Sequence, residues 1–440
     1  MPFSQIESAV MLLLLGLGLY LTWQTSFFPL RGLPFVLSAL KKSFPGNYTT
    51  KSPKSLSPFQ AVTTALAGTM GVGNLVGVAT AMVAGGPGAI FWMWISAFFG
   101  MATKYAEVFL AVIYRRRDTS GRFYGGPMAY MKDGLNHRFG AILFCVCCVL
   151  CSFGIGNITQ VHSVSASLQA AFHWPIWLTG PAVCLCVGAV ILGGVNRIAQ
   201  TAELIIPVVS IFYLCIAGAF LWANRRYVPE AFATILRCAF GWPQAGSGLL
   251  GYQVGQAVRF GLTRGIFTNE AGLGSSPIAH AAACTNSPEQ QGCLGIFEVF
   301  FDTIAVCTIT ALVLLTADGG LLWQNGLDGA ALTAAAFASQ FGAFGSFFVA
   351  LALTLFAIPS MLSWCFYGQA ALSWLLGDSL SCKKHIIRAY QTLFLLCILA
   401  GAFFHSQTVW ALADSLNALM TLPNIGALFL LRRQIRTPGH

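Results

Sequence analysis

The sequence predicts an all-α polytopic membrane protein with eleven transmembrane helices, and three observations carry that reading. Of its 440 residues 56% are hydrophobic and 9% charged, with a mean hydropathy of +0.72, whereas soluble domains carry about a quarter charged residues. Apolar runs approaching the ~20 residues that span a bilayer recur along the whole chain. Two of these runs are interrupted by clusters of glycine and polar residues.

The runs have approximate limits 8–28, 61–84, 87–114, 139–165, 176–194, 200–222, 250–284 (interrupted), 295–316, 344–375, 386–404 and 407–431. The first is as short as a signal peptide. No basic residue precedes it and no small-residue cleavage site follows it, so it reads as a retained span. Segments 37–60, 115–138 and 376–385 are polar connections. Segments 226–248 and 318–343 hold Gly-, Trp- and Ala-rich pieces that read as short helices over the outer face.

Basic residues orient the chain. Lys41, Lys42, Lys51 and Lys54 follow the first span, and Arg115, Arg116, Arg117, Arg122, Lys132 and Arg138 follow the third. Arg197 follows the fifth, Lys383, Lys384 and Arg388 the ninth, and Arg432, Arg433 and Arg436 end the chain. An outside N-terminus and a cytoplasmic C-terminus put all of these inside, leaving Arg225, Arg226 and Arg237 outside. This orientation accounts for the net charge of +10, and no basic domain stands outside the membrane to hold nucleic acid. Short loops and a retained first span suit a bacterial inner (plasma) membrane.

The interruptions carry the functional information. Residues 68–77 read Gly68-Thr69-Met70-Gly71-Val72-Gly73-Asn74-Leu75-Val76-Gly77, and each glycine costs a helix about 1 kcal/mol relative to alanine. Irregular backbone survives in hydrocarbon only where protein buries it or a cavity solvates it. Close packing of helices through small residues is the competing explanation. A second break, Phe267-Thr268-Asn269-Glu270-Ala271-Gly272-Leu273-Gly274-Ser275-Ser276-Pro277, lies inside the seventh run.

If span 8–28 is an accessory, the breaks fall in the first and sixth of ten core helices. That is the pattern of two inverted five-helix repeats, 61–222 and 250–431, around a central site, within one transmembrane domain of 1–440. A broken helix offers bare amides to an anion and bare carbonyls to a cation. Secondary transport is therefore the leading reading, and an uncoupled facilitator or channel the second. The chain holds no Ser-His-Asp or metal-ligand constellation and no soluble signalling domain, which argues against an enzyme or a receptor.

Charges inside a membrane are costly and mark functional positions by default. Glu270 sits in the second break. Lys104 and Glu107, three apart on one helix, read as a local pair. Glu298 and Asp302 lie one turn apart, so they either share a proton or face a solvated vestibule. Glu203, Arg259 and Asp414 read as structural partners, and His280 and His405 as isolated, satisfied helix histidines. Cys145, Cys147, Cys148 and Cys151 stand in an unbroken apolar run without histidine or acid, so they read as packing.

Residues 57–115, SPFQAVTTALAGTMGVGNLVGVATAMVAGGPGAIFWMWISAFFGMATKYAEVFLAVIYR, and residues 264–281, RGIFTNEAGLGSSPIAHA, resemble the alanine/glycine:cation symporter family, also called sodium:alanine symporters. Gly156-Asn157 with Gln160, the Trp364 to Gly368 region and DSLNALMTLPN from Asp414 to Asn424 extend the resemblance over nearly the whole chain. It implies a leucine-transporter-type fold preceded by one extra helix. It also implies uptake of alanine or glycine driven by Na⁺ or H⁺. Separately, no cofactor beyond the coupling ion is expected, and the expected partners are the amino-acid substrate and the lipid bilayer, with the protein functioning as a monomer; the sequence itself does not fix the oligomeric state.

A zwitterionic amino acid needs donors for its carboxylate and acceptors for its ammonium. The expected donors are the backbone amides around Val72, Gly73 and Asn74. Gln160, Thr268 and Asn269 are expected to hold the ammonium or orient the substrate, while Phe267 and Trp364 cap a small pocket; plain core packing is the other reading of these two rings. One methylene changes binding by only about 1–3 kcal/mol, so such a pocket biases selection rather than enforcing it.

Sodium, a hard cation, takes oxygen ligands. The carbonyls of Ala67 and Met70 at the start of the first break are expected to supply some. Similar transporters complete a sodium site with two adjacent hydroxyl residues on core helix eight, usually Ser-Thr in this family. Here the first hydroxyl has become Pro359, which offers no side-chain oxygen but frees the carbonyl one turn earlier, near Leu355. Either Ser360, Ser363 and that carbonyl rebuild the site, or coupling passes to protons, with Glu270, Glu298 and Asp302 as gating or proton-carrying groups.

Overall fold

Every predicted apolar run coincides with a helix or with two half-helices. The computed structural model describes residues 2–44, 55–118, 121–241, 249–377, 381–403 and 406–438. Lys51, Lys54 and His405, with parts of the segments predicted at 37–60, 226–248 and 376–385, lie outside these residues. Among the described residues six helices are long and apolar enough to cross a membrane: Gly88–Ile113, Arg138–Phe172, Gly194–Ala223, Pro288–Gly320, Ala343–Leu376 and Ala413–Gln434.

Both glycine clusters break their helices. The first broken helix consists of Pro58–Thr69 and Val76–Gly85, joined through a single 3-10 turn at Val72–Asn74. Its start is fixed by a capping box, in which Ser57 Oγ accepts from Gln60 N–H and Gln60 Oε1 accepts from Ser57 N–H, both at 3.0 Å. The second consists of Leu249–Asn269 and Ser276–Ala281. Between them the backbone turns left-handed at Glu270 (φ 52°), Gly272 (φ 90°) and Gly274 (φ 85°). Glycine accepts that region without penalty, whereas for Glu270 it is a strained conformation that its surroundings must hold in place.

The two broken helices meet. Leu56, just before the first, forms a parallel bridge with Ala283, just after the second. The helix Gly88–Ile113 packs along both Leu249–Asn269 and Pro288–Val299 and is almost wholly buried, while Gly194–Ala223 presents most of its apolar surface outward. Ala343–Leu376 lies against Pro58–Thr69 on one side and Arg138–Phe153 and Thr159–Phe172 on another. The first helix, Pro2–Gln24, packs on Gly88–Ile113 and Ser406–Leu431. Its Leu14 reaches the second break, occupying the space a side chain on Gly272 would need.

The connections hold more structure than polarity suggests. The predicted connection 37–60 begins within a helix, Leu33–Ser43, whose inner face buries Val36 and Ala39. Segment 115–138 folds as a two-residue hairpin, Arg116–Arg117 against Phe123–Tyr124, followed by a π-turn at Tyr130–Gly134. Helices Val228–Phe240 and Gly329–Phe341 occupy the two segments read as short helices.

Candidate functional site

All the residues predicted to bind substrate or ion are buried, and most gather around the two breaks. Because Gly71 caps the 3-10 turn with no side chain, its first amide is met from another helix: Val72 N–H donates to Gln160 Oε1 at 3.2 Å. Gln160 is held in turn by donation from Nε2 to Ile155 O at 3.1 Å, within the π-turn Gly154–Ile158. Gly73 faces the other break: a Cβ there would come within 2.9 Å of Thr268 Cγ2 and 3.7 Å of the Phe267 ring. The breaks thus touch through Gly73, Thr268 and Phe267.

Asn74 points away from this contact. Its Nδ2 donates to Asp302 Oδ1 at 2.7 Å and Asp302 O at 3.3 Å. Asp302 stands in the π-helical stretch Phe300–Cys307, where a widened turn presents both its carboxylate and its carbonyl to Asn74. Asn74 Oδ1 has no protein partner, and neither has Asn269 Nδ2, whose own amide oxygen accepts from Ala271 N–H at 3.0 Å. Each break therefore carries one buried, unsatisfied polar atom, an acceptor at the first and a donor at the second. Such atoms are rare in folded proteins and call for a ligand, ion or water.

Ser360 and Ser363 lie on Ala343–Leu376 and face the first half-helix. Ser360 Oγ donates to Gly68 O at 3.3 Å and Ser363 Oγ to Thr64 O at 2.8 Å. A Cβ on Gly71 would lie 3.0 Å from Ser360 Oγ, so the serine hydroxyl abuts the start of the break. Ala67 and Met70 are fully buried beside it. Pro359 is buried inside the same helix.

Trp364 sits one turn further on, tight against the π-turn: a Cβ on Gly156 would fall 2.1 Å from Trp364 Cβ. Its indole Nε1–H donates to Glu270 Oε1 at 3.0 Å, and Ser275 Oγ–H donates to Glu270 Oε2 at 2.5 Å. The Glu270 carboxylate is thus anchored from two directions.

Three expectations need correction. Lys104 does not pair with Glu107. Its Nζ bonds Glu298 Oε1 at 3.3 Å, Ser276 Oγ at 2.6 Å and Glu270 O at 3.2 Å. Glu107 instead accepts from Gly272 N–H at 3.1 Å and from Asn424 Nδ2 at 2.5 Å. On the helix both side chains point at the second break, so each finds the polar groups exposed there rather than its neighbour. His280 is not isolated, since its Nε2 lies 3.2 Å from Glu298 Oε2 and its Nδ1 2.7 Å from Gln291 Nε2. Glu298 and Asp302, finally, engage different partners, Lys104 with His280 and Asn74 with Thr303. Apart from the neighbouring Thr303, sequence spacing could not have found these partners, because they lie on other segments of the chain.

A cavity of about 950 Å³ opens among Arg116, Arg122, Lys132, Arg138, Lys383 and Lys384, with Asp118 as its single carboxylate among the described residues. Ile278 and Phe366 form part of its wall, and none of the predicted site residues lines it.

Residues 3–437 match the family model for the sodium:alanine symporter family. The chain is 42% identical to the sodium/alanine symporter AgcS of Methanococcus maripaludis over 429 residues, 96% of this chain and 91% of that protein. It is 38% identical to the probable sodium/glutamine symporter GlnT of Bacillus subtilis over 429 residues, 97% of this chain and 86% of that protein. Among solved structures it resembles a manganese transporter of Eremococcus coleocola, with a TM-score of 0.56 at 14% identity over 86% of this chain and 78% of that one. It also resembles a Na⁺-coupled sialic acid symporter, with a TM-score of 0.55 at 15% identity over 97% and 86% of the two chains. At these identities the structural likeness carries the fold alone, that of leucine-transporter-like transporters.

Proposed function

Because the chain belongs to the sodium:alanine symporter family, a family of multi-pass membrane transporters rather than enzymes, we propose that it imports alanine or glycine together with Na⁺ or H⁺ by alternating access around the two breaks. The observation that carries this reading is the pair of unsatisfied buried atoms, Asn74 Oδ1 and Asn269 Nδ2. A zwitterion with its coupling ion brings acceptors and positive charge together, which is what a lone acceptor and a lone donor need.

In this reading the first-break amides around Val72, Gly73 and Asn74 take the carboxylate, with Gln160 ready to release Val72 N–H. Thr268 and Asn269 orient the substrate, the free Asn269 Nδ2–H as a further donor to its carboxylate and the free Asn74 Oδ1 as an acceptor for its ammonium or the coupling ion. Phe267 and Trp364 limit the side chain to one carbon or none, which favours alanine and glycine over a substrate as long as glutamine. Ala67, Met70, Ser360 and Ser363 form the Na⁺ position, and Glu270, Glu298 and Asp302 are the proton-carrying or gating groups if H⁺ drives uptake. Eleven crossings as a 5+5 repeat with one extra helix, an outside N-terminus, the bacterial inner membrane and a functional monomer complete the proposal.

The test is uptake of labelled glycine, L-alanine, D-alanine and L-glutamine into proteoliposomes, with sodium and proton gradients imposed separately. Concentrative uptake of alanine or glycine under one gradient is expected. Equilibration without accumulation under both would replace the symporter by an uncoupled facilitator.

A further inference from the structure

The second break is held by a charge that the transport reading does not use. Lys104 is fully buried on Gly88–Ile113, as are all the groups around it. An ammonium has three donors and no acceptor, and here it finds three acceptors of different chemistry: the Glu270 carbonyl at 3.2 Å, the Ser276 hydroxyl at 2.6 Å and the Glu298 carboxylate at 3.3 Å. The carbonyl lies at the C-terminal end of Leu249–Asn269, where the helix dipole is negative. Ser276 opens the next half-helix. One cation therefore spans the break from end to end.

A carbonyl, a hydroxyl and a carboxylate are the donor set by which a protein holds a hard cation. We propose that the Lys104 ammonium is a tethered cation standing where a mobile ion would otherwise bind, and that it is a positioning residue for the second break. The Pro288–Val299 helix presents Glu298 and Gln291 to this centre, the second broken helix presents Glu270, Ser276 and His280, and Glu107 lies on the lysine's own helix. Glu298 carries its charge between two partners, Lys104 on one oxygen and His280 on the other. Glu107, one turn along the lysine's own helix, holds the same break by accepting from Gly272 N–H. The left-handed Glu270 stays in its strained conformation because its carbonyl is fastened to this ammonium. Since the cation cannot leave, the break keeps its shape throughout a transport cycle, and the coupling ion binds elsewhere, at the first break. That last clause rests on the symporter reading; the tethered cation does not.

The experiment uses the fragment that truncation removes. Lys104→Ala deletes atoms equivalent to n-propylammonium, so that ion refills the vacated site, while tetramethylammonium supplies the same ionic strength without N–H donors. Thermal unfolding of the full-length protein in detergent is measured with each salt. Binding to the folded state raises Tm with concentration, so n-propylammonium is expected to stabilise Lys104→Ala and to leave wild type and Lys104→Met, which fills the space without charge, unchanged. No stabilisation of Lys104→Ala, or equal stabilisation of Lys104→Met, overturns the proposal.

Positioning is read by alanine binding, which is expected to weaken about tenfold or more in Lys104→Ala and to recover with n-propylammonium. Binding that stays at the wild-type level, or fails to recover while Tm does, refutes the positioning role. If Lys104→Ala does not fold, Lys104→Met combined with Glu298→Gln removes both charges of the buried pair, a change far better tolerated than removing one. That protein is expected to unfold at a Tm near wild type and to have lost strain-dependent order at Glu270, read as faster backbone hydrogen exchange over 269–276 than in wild type. Wild-type protection there overturns the proposal. Failure of wild-type protein to transport alanine would sink the symporter reading and leave the Tm result standing.

Discussion

Asn74 donates its side-chain amide to the Asp302 carboxylate at 2.7 Å, joining the first break to a π-helical stretch 228 residues away. The bond fixes which way the Asn74 amide faces, and so directs its unsatisfied oxygen. Asn74→Ala removes both the bond and that oxygen, leaving a buried carboxylate short of a donor. We expect kcat/KM for alanine uptake to fall about tenfold or more, with normal amounts of folded protein by size-exclusion chromatography. Unchanged uptake would show that the link plays no part in transport.

Gly73 and Thr268 are expected to behave as a pair. A methyl on Gly73 would come within 2.9 Å of Thr268 Cγ2, closer than side chains pack. Gly73→Ala should therefore impair uptake. Thr268→Ser, which deletes the clashing methyl and keeps the hydroxyl, should restore part of it. A double-mutant cycle measures the coupling, expected at about 0.5–3 kcal/mol for residues in contact; strict additivity would mean the breaks do not meet here during transport.

Trp364→Phe keeps an aromatic ring but loses the donor to Glu270 Oε1. Uptake is expected to drop about tenfold, the cost of leaving a buried carboxylate less well satisfied. Ser275→Ala removes the second anchor of the same carboxylate and should act in the same direction. Initial-rate kinetics at matched protein levels decide the matter, and wild-type rates in both variants would assign Glu270 no role.

Ser360 tests the coupling ion. If sodium drives uptake, Ser360→Ala should raise the Na⁺ concentration for half-maximal uptake several-fold, while alanine KM at saturating Na⁺ stays near wild type. A Na⁺ response identical to wild type would remove Ser360 from the ion site and turn attention to Glu270, Glu298 and Asp302.

The fold was legible because membrane helices announce themselves through length and hydropathy, and glycine clusters mark where they break. The positions of the breaks at Val72–Asn74 and at 270–275 followed from Gly71, Gly73, Gly272 and Gly274 alone. The partners of buried charges were not legible. Lys104 and Glu107 stand three apart, a spacing that makes a good pair on a solvated helix surface. In this interior the exposed backbone of the second break competed for both and won. His280 looked isolated for the same reason: Glu298 and Gln291 belong to another helix. Nor does polarity forecast that Leu33–Ser43 is helical, since its order comes from burying Val36 and Ala39.

The bonds around the breaks also set the order in which this protein can be made. Ser363 reaches Thr64 across 299 residues, and Asn424 reaches Glu107 across 317. A nascent chain leaving the ribosome therefore inserts its first broken helix long before the groups that stabilise it exist. Until Asn424 has been synthesised, Glu107 lacks one of its donors and the Gly272 carbonyl its acceptor role. Contacts this distant in sequence are slow to form. The helices can enter the bilayer one by one, yet the centre of the protein comes into being only as translation ends, so a truncation that removes Asn424 would yield a membrane protein with its middle unfinished.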